Sequence, residues 1–418
     1  MAAERPLRVA LLSWEYPPLV VGGLAAHVHG LARAHAREGH DVVVLTLHHP
    51  DVPDDSVVDG VRVLRARTEL PSLPHEGLLG RMSSANHQLV GLTSALGRWR
   101  ADVVHSHDWL VAWAGDTLRR LWKAPLVATV HATEVGRHQG HLPTGQPEAV
   151  ASVEWWLTYQ ARRVVTCSRS MQAEVHTAFQ LPLDKIDVIP NGVDAAVWVP
   201  PRPAPLRGAD GPLIVTWGRL QYEKGFQTLI AAMSELRRTV PGAQLVIAGT
   251  GTYGDDLRRL ATDHGVADAV RFAGFVPDAE LRELLHRASA VAIPSLYEPF
   301  GIVALEALAA GAPLVATRTG GLAEILGDGR TALLVEPDDP TAAAGALARL
   351  LAGGDDIRRM SVAGSRLVKE RYGWDAIATS TRQVYREAGS KGRTPREPAG
   401  AQPRSTAPKR PSSARTTD

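Results

Sequence analysis

Two glutamates eight residues apart, in Glu298-Pro299-Phe300-Gly301-Ile302-Val303-Ala304-Leu305-Glu306, form the segment of this chain richest in chemical implication. A helix is expected to begin near Gly301 and run to Ala310. The N–H groups of Gly301, Ile302 and Val303 would then stand free to hold phosphate or sugar oxygens. Glu306 falls on an otherwise apolar helix, where a carboxylate costs free energy unless a hydroxyl-rich or cationic group meets it. Upstream, Trp217-Gly218-Arg219-Leu220-Gln221-Tyr222-Glu223-Lys224-Gly225 places an arginine and a lysine five residues apart after a strand. That pair suits a diphosphate, and in isolation suits a solvated surface equally well. Nearer the N-terminus, Pro17-Pro18-Leu19-Val20-Val21-Gly22-Gly23-Leu24 joins a strand to a helix. Paired glycines let backbone approach a ligand and the helix start offers N–H groups to phosphate, although a tight turn without a ligand has the same look.

Two other segments invite chemistry that the chain does not support. Gly249-Thr250-Gly251-Thr252-Tyr253-Gly254 matches the dinucleotide fingerprint, yet it follows the second strand of its half, and no acidic residue about 20 positions later clearly ends a strand. His105-Ser106-His107-Asp108 suggests a metal, but no further histidine or carboxylate follows at short spacing. Polar active-site residues at a strand end are the better reading, and no metal is expected. The single cysteine, Cys167, follows an apolar run and reads as packing rather than as a nucleophile.

The elements that would position these groups alternate: a short apolar run, a glycine-rich or polar turn, then a helix-period segment. Such alternation predicts a mostly parallel sheet flanked by helices. Strands are expected over 7–12, 41–46, 61–64, 103–105, 126–130, 164–167 and 186–189, with a helix over 25–38. A proline-rich stretch from Val199 to Pro212 reads as a linker. Beyond it the alternation restarts, with strands over 213–217, 244–248, 270–272, 290–293, 314–317 and 332–335.

At 418 residues the chain exceeds one ordinary core, so two domains are expected. The hydrophobic share of 44% and the charged share of 22% are those of a folded protein. Residues 389–418 carry seven basic and two acidic side chains; without them the counts are 39 and 42. The body is thus near neutral and gives no electrostatic case for nucleic acid. From Arg393 onward, five prolines among polar residues make a tail expected to stay disordered, with weak contact to an anionic membrane surface as a secondary possibility. No apolar window reaches the roughly 18 residues of a transmembrane span, and a cytoplasmic, reducing location is expected.

Taken together these segments resemble the family 4 retaining glycosyltransferases. Ser13-Trp14-Glu15-Tyr16-Pro17-Pro18, His107-Asp108-Trp109-Leu110 and His131-Ala132-Thr133-Glu134 look like actinobacterial α-1,4-glucosyltransferases of the glycogen synthase kind. The likeness spans about residues 7–388. It implies an α/β fold of two Rossmann-like domains facing across a cleft. Residues 1–198 would be the acceptor side, 199–375 the nucleotide-sugar donor side, and 376–388 a helix crossing back to the first domain. It further implies that Gly22 and Gly23 form the donor-phosphate loop, that Arg219 and Lys224 neutralise the diphosphate, and that Glu306 grips the donor ribose. Glu298, with the backbone from Pro299 through Phe300, Gly301, Ile302 and Val303, would hold the donor sugar. His131 would stand beside the transferred hexose, with His107, Asp108 and Glu134 on the acceptor side.

The activity implied is transfer of a hexose, glucose from UDP- or ADP-glucose, to an α-1,4-glucan or related saccharide, without metal or other cofactor. A lipid-linked or mannosyl acceptor is the nearest alternative. A nucleotide-sugar epimerase or a non-catalytic nucleotide-sugar-binding protein are alternatives of another class. Residues 66–100 match relatives weakly and are where acceptor preference is expected to be set. A two-carboxylate hydrolase is set aside because Glu298 and Glu306, if both helical, stand about two turns apart.

Overall fold

The computed structural model describes residues 5–67, 77–199 and 211–390. In the first half, β1 (Arg8–Leu12), β2 (Asp41–Leu47), β3 (Asp55–Val58), β4 (Val61–Ala66), β5 (Val103–His107), β6 (Leu126–Val130), β7 (Arg163–Thr166) and β8 (Ile186–Val188) form one sheet, in the order β3-β4-β2-β1-β5-β6-β7-β8. Every neighbouring pair is parallel except β3 with β4. In the second half, β9 (Leu213–Trp217), β10 (Gln244–Ala248), β11 (Val270–Gly274), β12 (Ala290–Ile293), β13 (Leu314–Thr317) and β14 (Leu333–Val335) form an all-parallel sheet ordered β11-β10-β9-β12-β13-β14. Helices cover both faces, so strands such as Asp41–Leu47 are apolar at nearly every position instead of alternating. Leu11, Leu12, Leu45 and Leu64 are fully buried, each contributing about 1.5–3 kcal/mol relative to exposure.

The expected strands are present with ends shifted by one or two residues, except that β3 was not foreseen. It forms an edge hairpin with β4 around Asp59-Gly60, both at positive φ (53° and 79°), and leaves Val57 and Val58 exposed. An Asp-Gly pair between short β-branched runs is a hairpin signal that strand spacing alone passed over.

Each sheet reverses its order at one place, between β1 and β5 and between β9 and β12. Loops at the carboxyl ends of strands flanking such a reversal diverge and leave a crevice, the usual ligand position in this architecture. The loops after β1, β5, β9 and β12 all border it.

The last helix, Trp374–Gly389, packs on the Gly23–Arg37 helix of the first domain. Arg37 meets Asp375 at 2.7 Å and Arg382 meets Glu38 at 3.0 Å. The Trp374 ring occupies the space a Cβ would need at Gly30 and Gly192, approaching within 2.1 and 2.7 Å of those ideal positions. Both glycines are therefore demanded by packing, and the chain closes back on its first domain. Of residues 66–100, positions 68–76 lie outside the described residues, and the rest includes a helix, Gly77–Gly91, that buries Met82, Ala85, Asn86 and Leu89. Most of the proline-rich linker, 200–210, and nearly all of the basic tail, 391–418, also lie outside the described residues. Among the described residues, no helix is long and apolar enough to cross a membrane.

Candidate active site

A cavity of about 270 Å³ opens between the carboxyl ends of the two sheets. Its first wall carries Glu15, Gly22, Gly23, Asp108, His131 and Arg137; its second carries Trp217, Arg219, Lys224, Tyr297, Glu298 and the turn from Pro299 to Val303.

On the second wall, Lys224 ends a short 3-10 turn, Tyr222–Lys224, closed by Gly225 at φ +70°. A Cβ at Gly225 would lie 1.8 Å from the Pro294 carbonyl oxygen, so only glycine brings this turn against the loop after β12. The Lys224 Nζ consequently reaches the Glu298 carboxylate at 2.8 Å, and the Ser295 hydroxyl donates to the same oxygen at 3.2 Å. Arg219 faces Glu15 and Asp108 across the cavity and acts on both through charge. Gly301, at φ +103°, starts the Ile302–Ala309 helix without a side-chain cap, leaving its first N–H groups directed at the cavity wall.

Glu306 stands one turn further along this helix and accepts a hydrogen bond from Trp217 Nε1 at 3.2 Å. Burial pushes its carboxyl up to about 8. Its side chain is partly buried and is not among the groups lining the cavity, while Trp217, which holds it, is. Glu298 lies on the loop after β12, not on a helix, so the two-turn spacing invoked against a hydrolase does not apply.

On the first wall, the Glu15 carboxylate accepts the N–H groups of Val21 (2.8 Å) and Gly22 (2.9 Å) and so shapes the glycine loop. An ideal Cβ on Gly23 would come within 3.0 Å of Ile302, which shows how closely the two walls approach. Asp108 adopts φ 61°, ψ 174°, a conformation costing about 1–3 kcal/mol for a residue other than glycine. Its carboxylate accepts the His131 N–H at 2.7 Å, and burial raises its carboxyl to about 6. Burial lowers His131 to about 3, so its imidazole is neutral and able either to donate or to accept.

Two residues expected on the acceptor side are placed elsewhere. His107 is fully buried beneath His131, with Nδ1 3.1 Å from His131 Nε2. Glu134 is paired with Arg137 at 3.0 Å, and neither His107 nor Glu134 lines the cavity. The expectation that no further histidine or carboxylate follows His105-Ser106-His107-Asp108 at short spacing holds along the chain, but in space His27 and His131 both contact His107. Sequence reasoning also passed over Glu15 as a loop brace, and Arg137, whose charge is set against Glu154, a carboxyl that burial raises to about 8. Tyr297 was missed too; its hydroxyl donates to Glu174 at 2.9 Å and accepts the Thr133 N–H at 3.3 Å, tying second domain to first.

The dinucleotide-like glycines serve packing. An ideal Cβ at Gly249 or Gly251 would lie 1.9 Å from Gly218 O or 2.2 Å from Leu220 O, so the segment buttresses the Arg219 loop. None of residues 249–254 lines the cavity. Cys167 is buried, its thiol pushed up by desolvation, as a packing residue would be.

Comparisons with known proteins agree with this architecture. Residues 21–197 match the family model described as Glycosyltransferase Family 4, and residues 202–366 match Glycosyl transferases group 1. The chain is 42% identical over 408 residues to the glycogen synthase of Mycobacterium tuberculosis, covering 93% of this chain and 97% of that one. It is 33% identical over 411 residues to the alpha-maltose-1-phosphate synthase of Mycolicibacterium smegmatis, covering 92% and 100%. Among solved structures, the sucrose-phosphate synthase from Thermosynechococcus elongatus superposes with a TM-score of 0.77 at 27% identity, over 91% of this chain and 98% of that one. A cleft between two Rossmann-like domains, lined from both sides by the groups described, and a relative this similar over nearly its whole length lead to one assignment: the chain belongs to the family 4 glycosyltransferases and is a hexosyltransferase.

Proposed function

We propose that this enzyme transfers glucose, with retention of configuration, from UDP- or ADP-glucose to the end of an α-1,4-glucan or related saccharide. The observation that carries the reading is the convergence of Arg219, Lys224, the Gly22–Gly23 loop and the start of the Ile302–Ala309 helix on one cavity. Two cations, a helix N-terminus and glycine backbone are what a departing diphosphate needs. Residues 1–198 then serve the acceptor and 199–375 the donor.

In this reading Arg219 and Lys224 take up the charge that grows on the diphosphate as the glycosidic bond breaks, and no metal is assigned a part. Glu298 holds Lys224 in place and, with the backbone of residues 299–303, orients the donor hexose. Glu306, steadied by Trp217, grips the ribose. Neutral His131 hydrogen-bonds the hexose from the opposite wall, and Asp108 fixes the His131 backbone at the acceptor side. The leaving diphosphate oxygen takes the acceptor proton on the face from which it departs, so no carboxylate nucleophile is required.

The similarity to alpha-maltose-1-phosphate synthase favours a second acceptor, a sugar phosphate in place of a glucan end. The test is release of nucleoside diphosphate from UDP-glucose, ADP-glucose and GDP-mannose, each alone, with a maltooligosaccharide and with glucose 1-phosphate. Release that depends on the maltooligosaccharide is expected. Release only with the sugar phosphate selects the second reading, and release with no acceptor under any donor contradicts both.

A further inference from the structure

We propose that His27, His107 and His131 form a binding site for one transition-metal ion of the Zn²⁺ class, and that the bound ion inhibits transfer by withdrawing His131 from the cavity. The three rings come from separate elements: His27 from the Gly23–Arg37 helix, His107 from the end of β5, and His131 from the loop after β6. One ring nitrogen of each lies within 4.8 Å of the others. Tetrahedral ligands with Zn–N distances of about 2.0–2.1 Å stand about 3.3 Å apart. His107 Nδ1 and His131 Nε2, at 3.1 Å, already have that spacing, and rotation of the imidazoles closes the remaining gap.

The donor chemistry also fits. His27 Nδ1 is buried without a hydrogen-bond partner, an unfavourable state that coordination through that nitrogen would relieve. Imidazole suits Zn²⁺, Co²⁺, Ni²⁺ and Cu²⁺. Asn191, whose side chain lies against the His27 ring and interacts with it, is placed to orient that ring as an outer partner. Because His131 lines the cavity, a fourth position would open toward solvent or substrate.

The other histidine cluster, His35 with Glu38 and His40, also holds buried ring nitrogens without a hydrogen-bond partner, but its other groups are already engaged. Arg382 already occupies the Glu38 carboxylate at 3.0 Å, and His40 Nδ1 accepts the Leu7 N–H at 3.1 Å. A metal there would displace a cation and break a backbone hydrogen bond.

The inhibitory half of the proposal rests on the reading of His131 as the hexose-side group; the binding half does not. The experiment titrates the full-length chain with Co²⁺, following visible ligand-field absorption, and then displaces it with Zn²⁺. One Co²⁺ per chain with a tetrahedral spectrum is expected, weakened at least about tenfold in His27→Phe and in His27→Gln. Zn²⁺ inhibition of nucleoside diphosphate release should weaken by the same factor in those variants, with metal-free turnover retained. Absence of the spectrum, equal affinity in the variants, or Zn²⁺ bound without inhibition would overturn the proposal. If no acceptor supports transfer, the optical titration still decides whether the site exists, so the two failures remain distinct.

Discussion

Lys224 and Glu298 stand 2.8 Å apart, joining the loop after β9 to the loop after β12 in the wall of the interdomain cavity. The pair holds the ammonium extended toward the cavity before any diphosphate arrives. A cation placed in advance spends no reorganisation energy when charge develops on the leaving group.

Replacing Lys224 by alanine should therefore reduce kcat about 100- to 1,000-fold while changing donor KM far less. Steady-state kinetics with varied donor separate the two effects. An equal loss in affinity and turnover would mean that Lys224 binds ground state and transition state alike.

Gly225→Ala tests the turn that delivers Lys224. The added methyl would meet Pro294 O at 1.8 Å from a positive-φ position, so a large fall in melting temperature and in turnover is expected. Gly242→Ala is the control, since its φ is +82° but no atom lies within 4 Å of the added carbon. It should cost about 1–3 kcal/mol of backbone strain at most and leave turnover per folded molecule unchanged.

Glu306 predicts a pH dependence of stability. Its folded carboxyl titrates near 8, well above the unfolded value of about 4.3. Between those limits the folded state keeps a proton that the unfolded chain has released, so stability is full at low pH and is lost as pH rises toward 8, by at most about 1.4 kcal/mol per unit. Urea midpoints measured from pH 5 to pH 8 should fall less steeply in Glu306→Gln than in the parent. Parallel slopes would contradict the raised carboxyl.

Trp217→Phe removes a side-chain donor to Glu306, the 3.2 Å bond from Nε1. A loss of about 1–3 kcal/mol is expected, because an oxygen of a buried carboxyl is left unpaired while the ring volume largely remains. Donor KM should rise as Glu306 loses its orientation. Unchanged KM and stability would show that Trp217 does not hold Glu306.

Much of this molecule is legible in one sequence. The parallel strands announce themselves as apolar runs, and Gly22, Gly23, Arg219, Lys224, Glu298 and the turn after Pro299 all reach the cavity because they lie on short loops next to strand ends. Depth is what local pattern misses. His107 reads like its neighbour Asp108, but strand pleat sends it inward beneath His131. Glu306 faces Trp217, 89 residues away, and Tyr297 bridges to Thr133 and Glu174 of the other domain, contacts that no spacing encodes. The glycines at 249 and 251 imitate a cofactor loop because close backbone approach demands glycine whether the neighbour is a pyrophosphate or, as here, another loop.

The most direct measurement is mass spectrometry of products formed early from maltoheptaose with UDP-glucose or ADP-glucose, with the anomeric configuration of the new linkage read by NMR. The account predicts a ladder growing by single hexoses, each joined by an α linkage as in the donor. A β linkage, or donor turnover that leaves maltoheptaose unextended, would contradict it.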